Sequence, residues 1–224
     1  MSRPIRRGQP WGRPATGPAD LELAGDDADL AESIARHPGA LVRFRPSPES
    51  DVARALGLAT DPSGTTEVAL DGLEVDAPGV GGGTIAVNAV VVGPPPDRLR
   101  WTTRNVSITV TIDERPWFES HATTVVVASG QFLRGADLVP RGHPGDGWLE
   151  AQVYALARRQ RRAMRRRLTT GTHVPHPSIH TTRARHVEIE MSSAAMPLEV
   201  DGQERGRVRR LSVSLVAEAI RILI

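Results

Sequence analysis

Three stretches hold residue types that could do chemistry. In PLEVDGQERGR, residues 197–207, Asp201, Gln203 and Glu204 stand together between two alternating apolar runs. Acids grouped this way can act as a general base or attract a hard cation. The same stretch reads equally as a β-hairpin, since Asp-Gly is a strong two-residue turn signal. In GADLVPRGHPGDGWLEAQV, residues 135–153, Asp137 and Asp146 flank a Pro- and Gly-rich loop. A rigid loop with one carboxylate and several carbonyl oxygens can hold a hard cation; an ordinary turn explains the same composition. In HVPHPSIH, His173, His176 and His180 fall within eight residues, with His186 beyond. Two prolines interrupt them and the spacing fits neither a helical i,i+4 pair nor a zinc finger, so a histidine-rich loop is expected. GVGGGT, residues 79–84, lacks the lysine and the following helix of a phosphate-binding loop and reads as a linker or hairpin loop.

Composition removes several chemistries. The chain has no Cys, so disulfides, Cys-ligated metals and thiol nucleophiles are excluded. It also has no Lys: all 28 basic side chains are Arg, which excludes a Walker-type phosphate loop and Schiff-base chemistry. Net charge is only +2, so local clusters matter more than the total. No secretory leader or membrane-spanning run is evident, and a cytoplasmic protein is expected.

The elements that must position these residues fall into three segments. Residues 1–19, rich in Arg, Pro and Gly and containing Trp11, read as a flexible arm. Residues 20–62 read as an αβα fragment: a helix over 27–37, a strand over 40–44, and a helix over 47–58 with Ser47 as cap, Pro48 in its first turn and Gly57 at its end. Residues 63–224 read as strands. TEVALDGLEV carries an expected Asp71-Gly72 turn, TIAVNAVVV (84–92) an unbroken strand, and further strands are expected over 105–113, 123–130, 186–192, 196–202, 208–216 and 219–224. The fold class expected is α+β, with a β-sandwich-like domain.

One helix interrupts the strands near 153–170, with seven arginines in ten residues from Arg158 to Arg167. A solvated helix, an anionic membrane surface and nucleic acid can all accommodate such a run. The lack of interleaved aromatics disfavours single-stranded nucleic acid. Arg158, Arg162, Arg165 and Arg166 are the residues expected to face a membrane.

SGQFLRGADLVPRGHPGDGWLEAQV resembles the bacterial diacylglycerol kinase/lipid kinase family of the NAD kinase-like superfamily, through a Pro-containing loop followed by Asp146-Gly147-Trp148-Leu149. About 50 residues later, LEVDGQ stands where that family has a strand ending in Asp-Gly-Glu, and IAVNAVVVG resembles its Asn-containing strand, with Asn88 in that role. AGDDADLAESIARHPGALVRFRPSPESDVARALGL resembles its two nucleotide motifs, Gly-Gly-Asp-Gly-Thr and Gly-Thr-Gly-Asn-Asp-Phe-Ala-Arg, with most glycines replaced.

The resemblance implies a lipid-kinase-like sandwich domain joined to a cut-down α/β nucleotide domain. It implies ATP and Mg²⁺ as cofactors. Gly25, Asp26, Asp27 and Asp51 take the nucleotide-binding positions, His143, Asp146 and Trp148 the metal positions, and Asp201, Gln203 and Glu204 the region of the catalytic carboxylate. The departures weaken that chemistry. Pro48 removes an amide donor, and Asp27, Asp29 and Glu49 put negative charge where a triphosphate would lie. Gln203 stands at the position of the base, and a neutral amide takes no proton. Glu204 is its neighbour, which a strand turns to the opposite face. The expectation is therefore a relative whose ATP-dependent phosphorylation of a lipid hydroxyl is lost or weakened, leaving a role in binding a lipid, an anionic membrane surface, a protein partner or a second copy of itself. The alternative is an active kinase using Asp201 and Glu204, with Asp26, completed by another chain.

Overall fold

The alternating and continuous apolar runs do form strands, and they arrange as two sheets packed face to face. The computed structural model describes residues 12–58, 64–81 and 83–224; Trp11 and the rest of the first eleven residues lie outside the described residues.

The chain opens with β1 (Arg13–Pro14) and β2 (Leu21–Gly25). Helix α1 (Asp27–Arg36) follows, started by a reciprocal cap: the Asp26 carboxylate accepts from the amides of Ala28 and Asp29, and the Asp29 carboxylate accepts from the Asp26 amide. β3 (Leu41–Pro46) leads to α2 (Asp51–Leu56), capped by Ser50 rather than the expected Ser47 and closed by Gly57 at φ 64°. Pro48 thus lies before the helix. Then come β4 (Thr66–Asp76), β5 (Thr84–Ala86), β6 (Ala89–Val92), β7 (Val106–Ile112), β8 (Arg115–Ala122), β9 (Thr124–Ala128) and a small hairpin, β10 (Phe132–Leu133) and β11 (Ala136–Asp137). β12 (Leu149–Tyr154) precedes α3 (Arg161–Leu168), and β13 (Ile179–Ala184), β14 (His186–Met191), β15 (Met196–Val200), β16 (Gln203–Val208) and β17 (Arg210–Leu223) complete the chain.

The first sheet has nine strands, ordered β1-β4-β17-β14-β7-β8, with β5 paired to β4, and β3 and β2 continuing from β17. The second has six, ordered β13-β12-β9-β6-β15-β16. Between them, Leu73, Val110, Val187 and Val213 of the first sheet meet Val90, Val125, Val153 and Leu198 of the second. The opposite face of the second sheet is covered too: Val91, Val126 and Tyr154 pack with Leu99, Leu138, Met164 and Leu168. Burial on both faces accounts for the unbroken valine runs of β6 and β9. A third cluster packs α1 and α2, through Leu30, Ile34 and Val52, on Phe44, Leu70, Ile220 and Ile222. The α/β fragment is joined to the sandwich through the parallel pairing of β3 with β17, so one sheet runs across the boundary expected near residue 62.

Several local expectations change. Asp71-Gly72 is no turn: it sits inside the 11-residue β4. Asp71 is buried there, its carboxylate accepting from the amides of Gly147 (2.8 Å) and Glu218 (3.1 Å). TIAVNAVVV is broken in two, because β5 pairs with β4 in one sheet while β6 pairs with β9 and β15 in the other. Val208 ends β16, and from Arg210 onward the runs at 208–216 and 219–224 join in the single strand β17, irregular between Val216 and Ile220 where Glu218 takes φ 53°. The arginine-rich helix is shorter than expected, a 3₁₀ turn (Arg158–Gln160) leading into α3. The arm, expected without regular structure, contributes β1, and Arg13 pairs with the buried Glu67 at 2.5 Å.

Candidate functional site

Three aspartates from distant parts of the sequence meet at one cavity of about 430 Å³, and each holds backbone amides of another element. Asp27, in the first turn of α1, accepts from the Ser50 hydroxyl (2.6 Å) and from the amides of Asp51 and Val52 at the start of α2 (each 3.2 Å). Asp51 accepts from the amides of Arg134 and Gly135 (2.8 Å to Gly135), which make the tight turn between β10 and β11. Asp201 accepts from the amides of Val87 (2.7 Å), Asn88 (2.9 Å) and Ala89 (3.0 Å), where the chain crosses from β5 in one sheet to β6 in the other. That crossing leaves three successive amides without strand partners, and the carboxylate satisfies them. Asp201 and Gly202 both take positive φ, 47° and 79°, as a two-residue turn between β15 and β16 requires.

Burial sets the electrostatics. It pushes the Asp27 carboxyl up to about 6 against the hydrogen bond from Ser50, and the Asp201 carboxyl up to about 7 against its three amides, with Asp27 nearby adding to the rise. Asp51 is raised for the same reason. Asp26 and Glu49 also line the cavity, so five carboxylates face two guanidiniums, those of Arg54 and Arg134. Arg134 is itself ion-paired with the buried Glu199. Asn88 lines the cavity and its side-chain amide donates to the Phe132 carbonyl at 3.0 Å.

The remaining expected site residues lie elsewhere. Gly25 ends β2 with φ 158°; a Cβ there would come within 2.1 Å of the Asp29 carboxylate, so this glycine makes room for the cap of α1. Gln203 and Glu204 do not line this cavity, although Gln203 shares a separate one with Asp201, Glu32 and Arg205. Gln203 is exposed at the start of β16 and accepts from Arg205 at 3.0 Å. Glu204 is exposed and stands in register with Glu199 across the hairpin.

His143, Asp146 and Trp148 share the compact loop before β12, where the Asp146 carboxylate and His143 Nδ1 are held by the loop's own amides. The Asp146 carboxylate accepts from the Trp148 amide (3.1 Å) and lies 3.6 Å from Arg183, and burial raises its pKa. His143 Nδ1 accepts from the Gly145 amide at 3.2 Å, and the Pro144 carbonyl accepts from Asp71 at 2.7 Å. Among the described residues no group of three or more His, Asp or Glu side chains gathers to hold a metal.

The three histidines of HVPHPSIH separate. His173 is buried and stacked on Tyr154, His176 caps its own turn by accepting from Ser178, and His180 lies on β13 against the rings of Trp117 and Phe118. Arg158, Arg162, Arg165 and Arg166 are all exposed, as are Arg159 and Arg167. Arg161, the remaining arginine of that run, is 2 % exposed and donates to the carbonyls of Arg100 (2.9 Å) and Thr103 (2.6 Å) and to Asn105 (2.6 Å). Sequence reasoning missed Ser50, Arg134, Glu199 and this role of Arg161. Only Arg161 had a signal: it falls three residues before Met164 and seven before Leu168, on the apolar stripe of the helix.

A mostly-sheet sandwich carrying a two-strand parallel α/β extension, with a cavity where the two meet, defines the NAD kinase-like fold. Residues 98–224, more than half of the chain, match the YegS C-terminal NAD kinase beta sandwich-like domain, and the chain belongs to that family. No curated protein matches the sequence. Among solved structures, a diacylglycerol kinase from Bacillus anthracis str. Sterne superposes with a TM-score of 0.68 at 16 % identity, over 91 % of this chain and 76 % of that one. Yeast NADH kinase, complexed with NADH, gives 0.56 at 12 % identity over 91 % and 60 %. An NAD kinase from Archaeoglobus fulgidus, in complex with ATP, gives 0.52 at 8 % identity over 94 % and 82 %. At these identities the likeness is one of fold. Among the described residues no helix is long and apolar enough to cross a membrane.

Proposed function

We propose that this chain is a lipid-kinase-like protein in which ATP-dependent phosphorylation of a lipid hydroxyl is lost or weakened, and whose remaining role is to bind a lipid or a protein. One observation carries this reading. The amides that begin α1 and α2, the groups that would face a phosphate, are taken by the protein's own side chains: Ala28 and Asp29 by Asp26, Asp51 and Val52 by Asp27, and Ala53 by Ser50. A helix start whose donors are satisfied this way offers an anion little, and the carboxylates that satisfy them repel it. The residues present therefore do not fit a nucleoside triphosphate. The two arginines do not reverse this, since Arg134 is paired with Glu199 and lies 3.4 Å from Asp97, and Arg54 lies 3.9 Å from Asp51. The family resemblance and the shared fold support the lipid-kinase-like part of the reading.

Calorimetry with ATP and Mg²⁺ tests it. No heat of binding is expected through the micromolar range, and micromolar affinity would sink the proposal. Gln203→Glu is expected to leave the protein without phosphoryl-transfer activity toward a diacylglycerol, because position 203 does not face the cavity. Turnover gained by that single change would show that the nucleotide loops still work.

A further inference from the structure

Trp101 is 69 % exposed, the one large apolar side chain left so open among the described residues. It does not sit on a loose loop. Leu99 is buried beneath α3 with Met164 and Leu168. Arg161, buried in α3, grips the loop's carbonyls at residues 100 and 103 and the Asn105 side chain. The Thr103 hydroxyl closes the turn by accepting from the Arg100 amide at 3.0 Å. A buried guanidinium thus fixes the backbone on either side of the tryptophan, so the indole is presented on a held loop. One exposed ring is ordinary by itself, and its charged surroundings give it meaning.

The surroundings say what kind. The loop and the helix together expose nine arginines, three from residues 98–104 and six from 158–167, and residues 98–106 and 155–172 contain no acid. Of the nine, only Arg98 has a carboxylate within 4 Å among the described residues, Asp97 at 3.9 Å. The Arg158 guanidinium lies 5.9 Å from the Trp101 ring centre. An indole beside unpaired guanidiniums suits the boundary of an anionic bilayer, where the ring lies among the headgroups and the arginines meet phosphates. Nucleic acid would find the same charge, but single strands need successive stacking rings and this surface has one.

We infer that the loop carrying Trp101 and the outer face of α3 form a docking surface for an anionic lipid bilayer, with Trp101 as the inserted anchor and Arg161 as the residue that positions it. The surface shares no residue with the aspartate cavity, so the inference stands whether or not ATP binds there.

The test uses the whole chain with vesicles of phosphatidylcholine, alone or mixed with phosphatidylglycerol, some brominated in the acyl chains. The wild type is expected to sediment with the anionic vesicles only, to be released by salt, and to show tryptophan quenching by the brominated lipid. Trp101→Ala, an exposed change that leaves circular dichroism and melting unaltered, is expected to abolish the quenching and weaken partitioning about tenfold. The variant R158Q/R162Q/R165Q/R166Q is expected to lose at least about a hundredfold. Vesicle binding or quenching unchanged by Trp101→Ala would overturn the inference. So would an absence of anionic vesicle binding, whether accompanied by binding to nucleic acid or by a dimer that Trp101→Ala dissociates.

Discussion

Asp201 shows how one side chain can be essential to a site without reacting in it. Both its oxygens are committed to the amides of residues 87–89. Asp201→Ala leaves three partly buried donors without an acceptor, and a loss of about 2 kcal/mol or more is expected. For a chain of this size that is a drop in melting temperature of roughly 4–8 °C, measurable by calorimetric scanning. The same carboxylate gives stability a pH dependence of known sign. Its folded pKa, about 7, lies above its unfolded value, as does that of Asp27 at about 6. The folded state therefore holds these protons more tightly. The stability they contribute is complete below about pH 4 and is lost as pH rises through 6 and 7. The buried His173, whose pKa burial lowers, contributes in the opposite sense over the same range, so the test is the difference between variants. Denaturant titrations between pH 5 and pH 8 are expected to show Asp201→Asn gaining on the wild type as pH rises, and parallel curves would contradict the assignment. The sequence showed Asp201 as a turn residue in an acidic cluster. Its three amides lie more than 110 positions away, and no local pattern could reveal them.

At the scale of elements, the same dipeptide has two fates. Asp201-Gly202 is a turn, whereas Asp71-Gly72 runs straight through β4, because Asp71 is held by amides from two other segments and Gly72 is pressed by neighbours. A Cβ on Gly72 would lie 2.9 Å from the Ala219 Cβ and 3.0 Å from Ile85 Cγ2. Gly72→Ala is expected to cost about 1–3 kcal/mol by overpacking. Ala219→Gly in the same chain is expected to recover part of that, a coupling that thermal melts of the four variants would measure. Helices and strands with clean periodicity were legible: α1, the end of α2 at Gly57, β7, β9, β14 and β15 fall where the pattern put them. β8 and β13 were not, since β8 has an irregular exposed edge pattern and β13 lies in a segment whose histidines and prolines spoke for a loop. The cavity was legible only in its parts. Asp27, Asp51 and Asp201 could be picked out by resemblance, but their use as backbone clamps depends on tertiary neighbours.

For the whole molecule, Glu67 ties three distant parts together. It is buried, and it pairs with Arg13 at 2.5 Å and with Arg221 at 2.8 Å. The two guanidiniums hold its carboxyl down at about 2, below the usual value near 4.5. The stability it contributes is present above about pH 4.5 and is lost as pH falls toward 2. Acid titration is expected to show that loss in the wild type and a smaller one in Glu67→Gln, which should also be less stable at neutral pH.

The position of β17 also has a consequence in time. This strand lies at the centre of the first sheet, antiparallel to β4 and β14 and parallel to β3. Because a ribosome makes it last among the described elements, β3, β4 and the two helices that pack on them emerge without their central partner. At ordinary elongation rates, roughly 5–20 residues per second, they wait about ten seconds or longer for it. Through that interval the apolar edges of Leu41–Pro46 and Thr66–Asp76 are open to any other strand, so the nascent chain is the form of this protein most in need of a chaperone.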